Sequence, residues 1–262
     1  MSKKRGRKAT PVPPTPKAAA APDTSPFVHQ SPVLDWPLSI RGRTDLTPKQ
    51  QTFIDLILDK TTNVVFINGP AGTSKTWLAV YCGLLLMNQR RMSHLVFVRT
   101  IIESASKSLG SLPGEADQKM SPYLMPLMDK LEEMLPAGEI KRLMGEERVK
   151  GLPVNYLRGA SFNRQYIVVE EAQNWTVKEL TTALTRLGRY SKMVLIGDPF
   201  QADINGASAF QPLFDWFNQP SLKDKGIHCV SFGREDIVRS GIARDIVETL
   251  EAYQASIRKP TH

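Results

Sequence analysis

The chain of 262 residues has no long apolar run. No segment approaches the roughly 18–20 uninterrupted apolar residues that span a bilayer, which excludes a membrane-spanning helix. The basic residues at the amino terminus have no apolar run behind them, which argues against a secretory signal. Cysteine is scarce. Cys82 and Cys229 are too few for a disulfide framework or a thiolate zinc site. Both stand in apolar stretches, so buried free thiols in a reducing cytoplasm are expected. Internal repeats are lacking too.

Positive charge is present in excess, and unevenly. The formal net charge is +8. Residues 1–34 carry Lys3, Lys4, Arg5, Arg7, Lys8 and Lys17 against Asp23 alone, a net of +5. That leaves about +3 for the remainder. Residues 1–40 are also rich in Pro, Ala, Ser and Thr and hold too little apolar surface to offset the entropy of ordering. They are expected to form a disordered basic tail that adds salt-sensitive affinity for phosphate backbones or serves as a solubilising arm.

From residue 41 to 262 the pattern is that of one folded domain. LTPKQQTFIDLILD places Phe53, Ile54, Ile57 and Leu58 at helical spacing, with Thr47 as N-cap and Pro48 in the first turn. Five short, β-branched runs follow at 63–68, 94–98, 166–170, 193–197 and 227–231. Near-continuous apolar runs indicate strands covered on both faces, hence a mostly parallel sheet in a doubly wound α/β fold. Residues 100–165 read as an inserted helical region. Its helix over 118–135 is expected to be interrupted near Pro122 and Pro126.

The chemistry concentrates at strand ends. GPAGTSKT (69–76) lies directly between the first strand and an apolar helix. Backbone amides of such a loop, with the helix amino terminus, form an anion site. Gly69, Pro70, Ala71, Gly72, Thr73, Ser74, Lys75, Thr76 and Trp77 are therefore expected around bound phosphates, with Lys75 on the β- and γ-phosphates and Thr76 on Mg2+. Ser74 stands where the pattern has glycine. If that position needs a positive φ, serine carries a strain of about 1 kcal/mol. YIVVEEAQNW (166–175) puts Glu170 and Glu171 at a strand end, Glu170 suited to hold the metal and Glu171 to act as general base or position water. MVLIGDPFQAD (193–203) adds Asp198 beside the nucleotide and Gln201 within reach of the γ-phosphate or the attacking water. Arg234 and Arg239 follow the last strand, where an arginine can stabilise transition-state charge. Arg99, Lys107, Arg158 and Arg164 are weaker candidates for phosphate contacts with a nucleic acid.

Taken together, these motifs resemble the PhoH-like P-loop ATPases, relatives of the first RecA-like domain of superfamily 1 helicases. The likeness runs from about Leu46 to Tyr253. LTPKQ resembles the helicase motif whose glutamine contacts adenine, which implies that role for Gln50. GPAGTSKT resembles the family's GPAGTGKT, EEAQN its DEAQN and GDPFQ its GDPxQ. DIVRS (236–240) is similar to a VVRH-type segment and favours Arg239 as the arginine finger. Ser74 and Glu170 depart from the family's glycine and aspartate. Short single-domain members are common among phages.

The resemblance implies a RecA-like ATPase that uses ATP and Mg2+ and couples hydrolysis to RNA or single-stranded nucleic acid, with no membrane partner. A single core would find its second face in another copy, as a homo-oligomer such as a hexameric ring. The competing reading is an ATP-responsive nucleic-acid or partner-binding module with little hydrolysis. A small-molecule kinase would need a lid with paired arginines, and the sequence offers no clear one.

Overall fold

The computed structural model describes residues 32–100, 116–201 and 208–238, and positions 245, 246, 249 and 253, without the side chains of 116–123 and 200. Six strands form a single sheet: β1 (Val64–Asn68), β2 (His94–Arg99), β3 (Val149–Pro153), β4 (Gln165–Glu170), β5 (Lys192–Gly197) and β6 (Ile227–Ser231). Their spatial order is β3-β2-β4-β5-β1-β6, and every pairing is parallel. All strands therefore end on one edge, and the loops leaving them converge there.

The period-two alternation of side chains divides the core into two clusters. Val65, Ile67, Leu95, Phe97, Tyr166, Val168, Val194 and Ile196 face one side. They pack there with α1 (Pro48–Leu58), α2 (Lys75–Asn88), α3 (Ala116–Met134) and α4 (Ala137–Gly145). Val64, Phe66, Val96, Val98, Ile167, Val169, Met193 and Leu195 face the other. This face is covered by α5 (Val177–Leu184) and α6 (Phe210–Phe217). A short helix, α7 (Pro220–Lys223), leads into β6. The doubly wound α/β architecture expected from the apolar runs is present.

Helix α2 carries the phosphate loop, and its seating is tight. A Cβ on Gly83 would lie 2.6 Å from both Leu95 Cδ1 and Tyr166 Cδ1, so the helix backbone rests directly on β2 and β4. Helix α1 begins as the sequence indicates: Thr47 caps it, Pro48 is in its first turn, and Thr47 and Gln50 form a reciprocal capping box.

Several expectations are corrected. β3 lies inside the region read as an insertion. It is an edge strand of sequence VKGLP, only partly buried, and so lacks the apolar run that marks the other five. Helix α3 runs unbroken through Pro122 and Pro126. Each proline removes one N–H from the ladder, but Leu127, Leu131 and Met134 at helical spacing are fully buried, and that packing holds the helix together. The packed chain also starts upstream of residue 40: Leu34 and Leu38 sit in the core, and Leu38 N donates to Asn88 Oδ1 at 2.8 Å. Cys82 is a buried free thiol, whereas Cys229 is free but only half-buried.

Candidate active site

The loop after β1 folds back on itself. Gly72 takes φ +88° and Ser74 φ +61°, ψ 23°, in the left-handed region. Serine at 74 thus pays the strain anticipated for it. Its hydroxyl accepts a hydrogen bond from Arg43 Nη1 at 3.0 Å. A charge-assisted bond of this kind contributes roughly 1.5–3 kcal/mol, enough to offset a left-handed penalty of 1–2 kcal/mol. Lys75 Nζ donates to the Gly69 and Pro70 carbonyls at 2.6 and 2.8 Å. Its ammonium therefore lies inside the curl of the loop.

Two acidic strand ends face this loop. The Thr76 hydroxyl, in the first turn of α2, donates to Glu170 Oε1 at 2.7 Å. Glu170 is buried, and its second oxygen, Oε2, has no hydrogen-bond partner among the described residues. Burial pushes its carboxyl up to about 7; the Thr76 bond opposes the rise, and the neighbouring Glu171 adds to it. Glu171 takes φ +54° at the turn leaving β4 and lies 3.8 Å from Arg99 Nη2. Gln173 bridges the two strand ends: its amide nitrogen donates to Glu171 Oε2, and its oxygen accepts from Asp198 N at 3.0 Å.

Together these groups line a cleft of about 440 Å³. Its walls include Ala71, Gly72, Ser74, Lys75, Thr76 and Trp77 from the loop and α2, and Glu170, Glu171, Gln173, Asp198 and Gln201 from the strand ends. Gly69, Pro70 and Thr73 belong to the loop but do not line the cleft. Thr73 is buried, and its hydroxyl donates to Pro70 O at 2.9 Å. Arg43 and Lys130 also line the cleft. Sequence reasoning missed both, since neither lies in a phosphate-binding pattern; only the docking of α3 and of the segment before α1 brings them to the loop.

The other sequence candidates fall elsewhere. Gln50 is fully buried and does not line the cleft. Its amide nitrogen donates to Thr73 O at 3.1 Å and Asp236 O at 2.9 Å, and its oxygen accepts from Thr47 N at 3.0 Å. It fastens the loop to the segment after β6. Val238 N adds a bond to Gly72 O at 3.1 Å. Arg234 is exposed and does not line the cleft. Arg239 and Lys107 lie outside the described residues. Arg99 is beside Glu171. Arg164 precedes β4, on the sheet edge opposite the phosphate loop, and Arg158 is exposed beyond β3.

A strand-to-helix phosphate loop that faces paired carboxylates narrows the fold to the P-loop NTPases, and the sequence relatives narrow it further. The profile of the PhoH-like protein family matches residues 40–251. The chain belongs to the PhoH-like family. It is 36% identical over 223 residues to a PhoH-like protein of Mycobacterium tuberculosis, covering 83% of this chain and 61% of that one. To a PhoH-like protein of Bacillus subtilis it is 33% identical over 197 residues, covering 73% and 59%. This PhoH-like chain thus spans about 60% of the length of these relatives. Among solved structures, unliganded Pif1 from Bacteroides sp. is similar over 81% of this chain and 47% of that one, with a TM-score of 0.37 and 16% identity. Among the described residues, no helix of this PhoH-like chain is long and apolar enough to cross a membrane.

Proposed function

We propose that this chain binds ATP with magnesium, hydrolyses it, and couples the cycle to RNA or single-stranded nucleic acid. The observation that carries the reading is the convergence of Lys75, Thr76, Glu170 and Glu171 on one cleft. The loop amides and Lys75 receive the phosphates. Glu171 orients the attacking water and takes its proton, and Gln173 holds Glu171 in place.

The donors present fit a divalent cation. Glu170 Oε2 is buried with no hydrogen-bond partner among the described residues, and the carboxyl is pushed up to about 7 by burial. A hard cation between Glu170 and the Thr76 hydroxyl would draw the carboxyl back to its charged form. Glutamate, one methylene longer than the family's aspartate, reaches Thr76 directly. Bound magnesium would neutralise charge building on the phosphates. Asp198 and Gln201 also line the cleft, and Gln201 is exposed enough to sense a γ-phosphate.

Coupling to a polymer is supported by the family, by the basic residues before Leu34, and by the Gln173 bridge, which ties the hydrolytic carboxylate to a neighbouring strand end. The packed domain would act as a RecA-like unit in a homo-oligomeric ring, with a second copy supplying an arginine such as Arg239. The deciding measurement is ATPase rate at low salt with and without RNA or single-stranded DNA. Stimulation by one polymer is expected. Nucleotide binding without turnover under every condition would leave only the ATP-responsive binding module.

A further inference from the structure

Arg43 lies 31 residues before the phosphate loop's Ser74, in the segment that leads into α1, yet its guanidinium stands at the wall of the cleft. Three contacts fix it there. Nη1 donates to Ser74 Oγ at 3.0 Å. Nη2 pairs with Glu133 of α3 at 3.2 Å. The guanidinium lies over the Trp77 ring, 4.7 Å from its centroid. Trp77 is itself stacked on Tyr81, with centroids 4.8 Å apart, so the platform beneath the arginine is rigid. About a third of the Arg43 side chain remains exposed.

We infer that Arg43 is a nucleotide-binding residue, a second cation given to the phosphate chain by the same subunit and directed at its inner phosphates. This rests on the reading of the cleft as a nucleotide site. A guanidinium has five N–H donors, and the described hydrogen bonds of Arg43 use two of them. Its plane and position are fixed before any ligand arrives, so little side-chain entropy is lost on contact.

Contacts distinct from those of Lys75 point to the inner phosphates. Lys75, the cation expected on the β- and γ-phosphates, is folded toward Gly69 and Pro70. Arg43 makes different contacts, against Ser74 and Trp77, where α2 begins. Serine at position 74 belongs to the same device. Glycine would offer the arginine no acceptor, so the departure from the family's pattern supplies one of the three anchors.

The test is titration of the full chain with magnesium ADP and with a non-hydrolysable magnesium ATP analogue. Wild type is compared with Arg43→Ala, Arg43→Lys, Lys75→Ala, Ser74→Gly and the Arg43→Ala/Ser74→Gly double variant, and thermal melts check folding. Arg43→Ala is expected to weaken both nucleotides alike, by about tenfold, with partial recovery in Arg43→Lys. The loss should persist when Ser74 is already glycine. A loss that vanishes in the Ser74→Gly background would mean that Arg43 only steadies the loop, and a loss confined to the ATP analogue would place it at the outer phosphate; either overturns the inference. Unchanged binding by Arg43→Ala beside abolished binding by Lys75→Ala would overturn it and leave the nucleotide reading standing. Unchanged binding by Lys75→Ala would remove both.

Discussion

The Thr76 hydroxyl donates to Glu170 Oε1 over 2.7 Å, which joins the first turn of α2 to the end of β4. β4 is two places from β1 in the sheet, with β5 between them. The bond therefore links two lining residues of the cleft from separate elements. The other carboxylate oxygen is buried without a hydrogen-bond partner among the described residues.

Lys75 and Glu171 should separate binding from chemistry. Lys75→Ala is expected to weaken nucleotide binding by about 100-fold, near the 3 kcal/mol upper range for a charged hydrogen bond. Glu171→Gln should bind nucleotide with near wild-type affinity, while turnover falls by about 10²- to 10⁴-fold through loss of the base. Equilibrium titration and single-turnover cleavage read the two effects. Equal cleavage by wild type and Glu171→Gln would leave that carboxylate without a catalytic part.

Gln50 should behave as a structural bolt. Gln50→Leu would leave the buried carbonyls of Thr73 and Asp236 without this donor and break the capping box of α1. A stability loss of about 3 kcal/mol is expected in urea denaturation, with ATP and GTP affinities falling by the same factor. If instead ATP binding alone dropped in a fully stable protein, Gln50 would be reading adenine.

Close seating of α2 predicts intolerance at Gly83. The methyl group in Gly83→Ala would meet Leu95 and the Tyr166 ring at 2.6 Å. Overpacking of this kind costs about 1–3 kcal/mol, and because the helix carries the phosphate loop, nucleotide affinity should drop with it. A variant as stable as wild type would show that the helix shifts without strain.

His94, at the start of β2, gives a signed pH dependence. Burial lowers its pKa to about 4, with Lys150 and Arg148 adding to the shift. As pH falls below 6.5, the unfolded chain takes up a proton that the folded chain refuses until about pH 4. The folded state is therefore favoured above pH 6.5 and loses that advantage on acidification to pH 4. Denaturation of wild type and His94→Gln across this window should show the steeper decline in wild type. Parallel curves would rule out the histidine as the source.

Most of the fold was legible in the sequence because burial on both faces of a parallel sheet forces continuous apolar runs. VVFIN and YIVVE have them and were found; VKGLP, at the edge, has none and was missed. The unbroken course of α3 was hidden for a related reason. Local proline chemistry argues for a break, and only packing of Leu127, Leu131 and Met134 against the core outweighs it.

The sequence alone determined the loop, the helix behind it and the acidic strand ends, since these are local patterns whose chemistry follows from residue type and order. It also determined that position 74 would be strained if its φ were positive. Tertiary structure alone decided what relieves that strain, because Arg43 and Glu133 come from segments distant in the chain. It likewise decided that Gln50 would face carbonyls rather than the cleft. Hydrogen-bond partners distant in sequence are set by how helices dock on the sheet, and no local pattern encodes that.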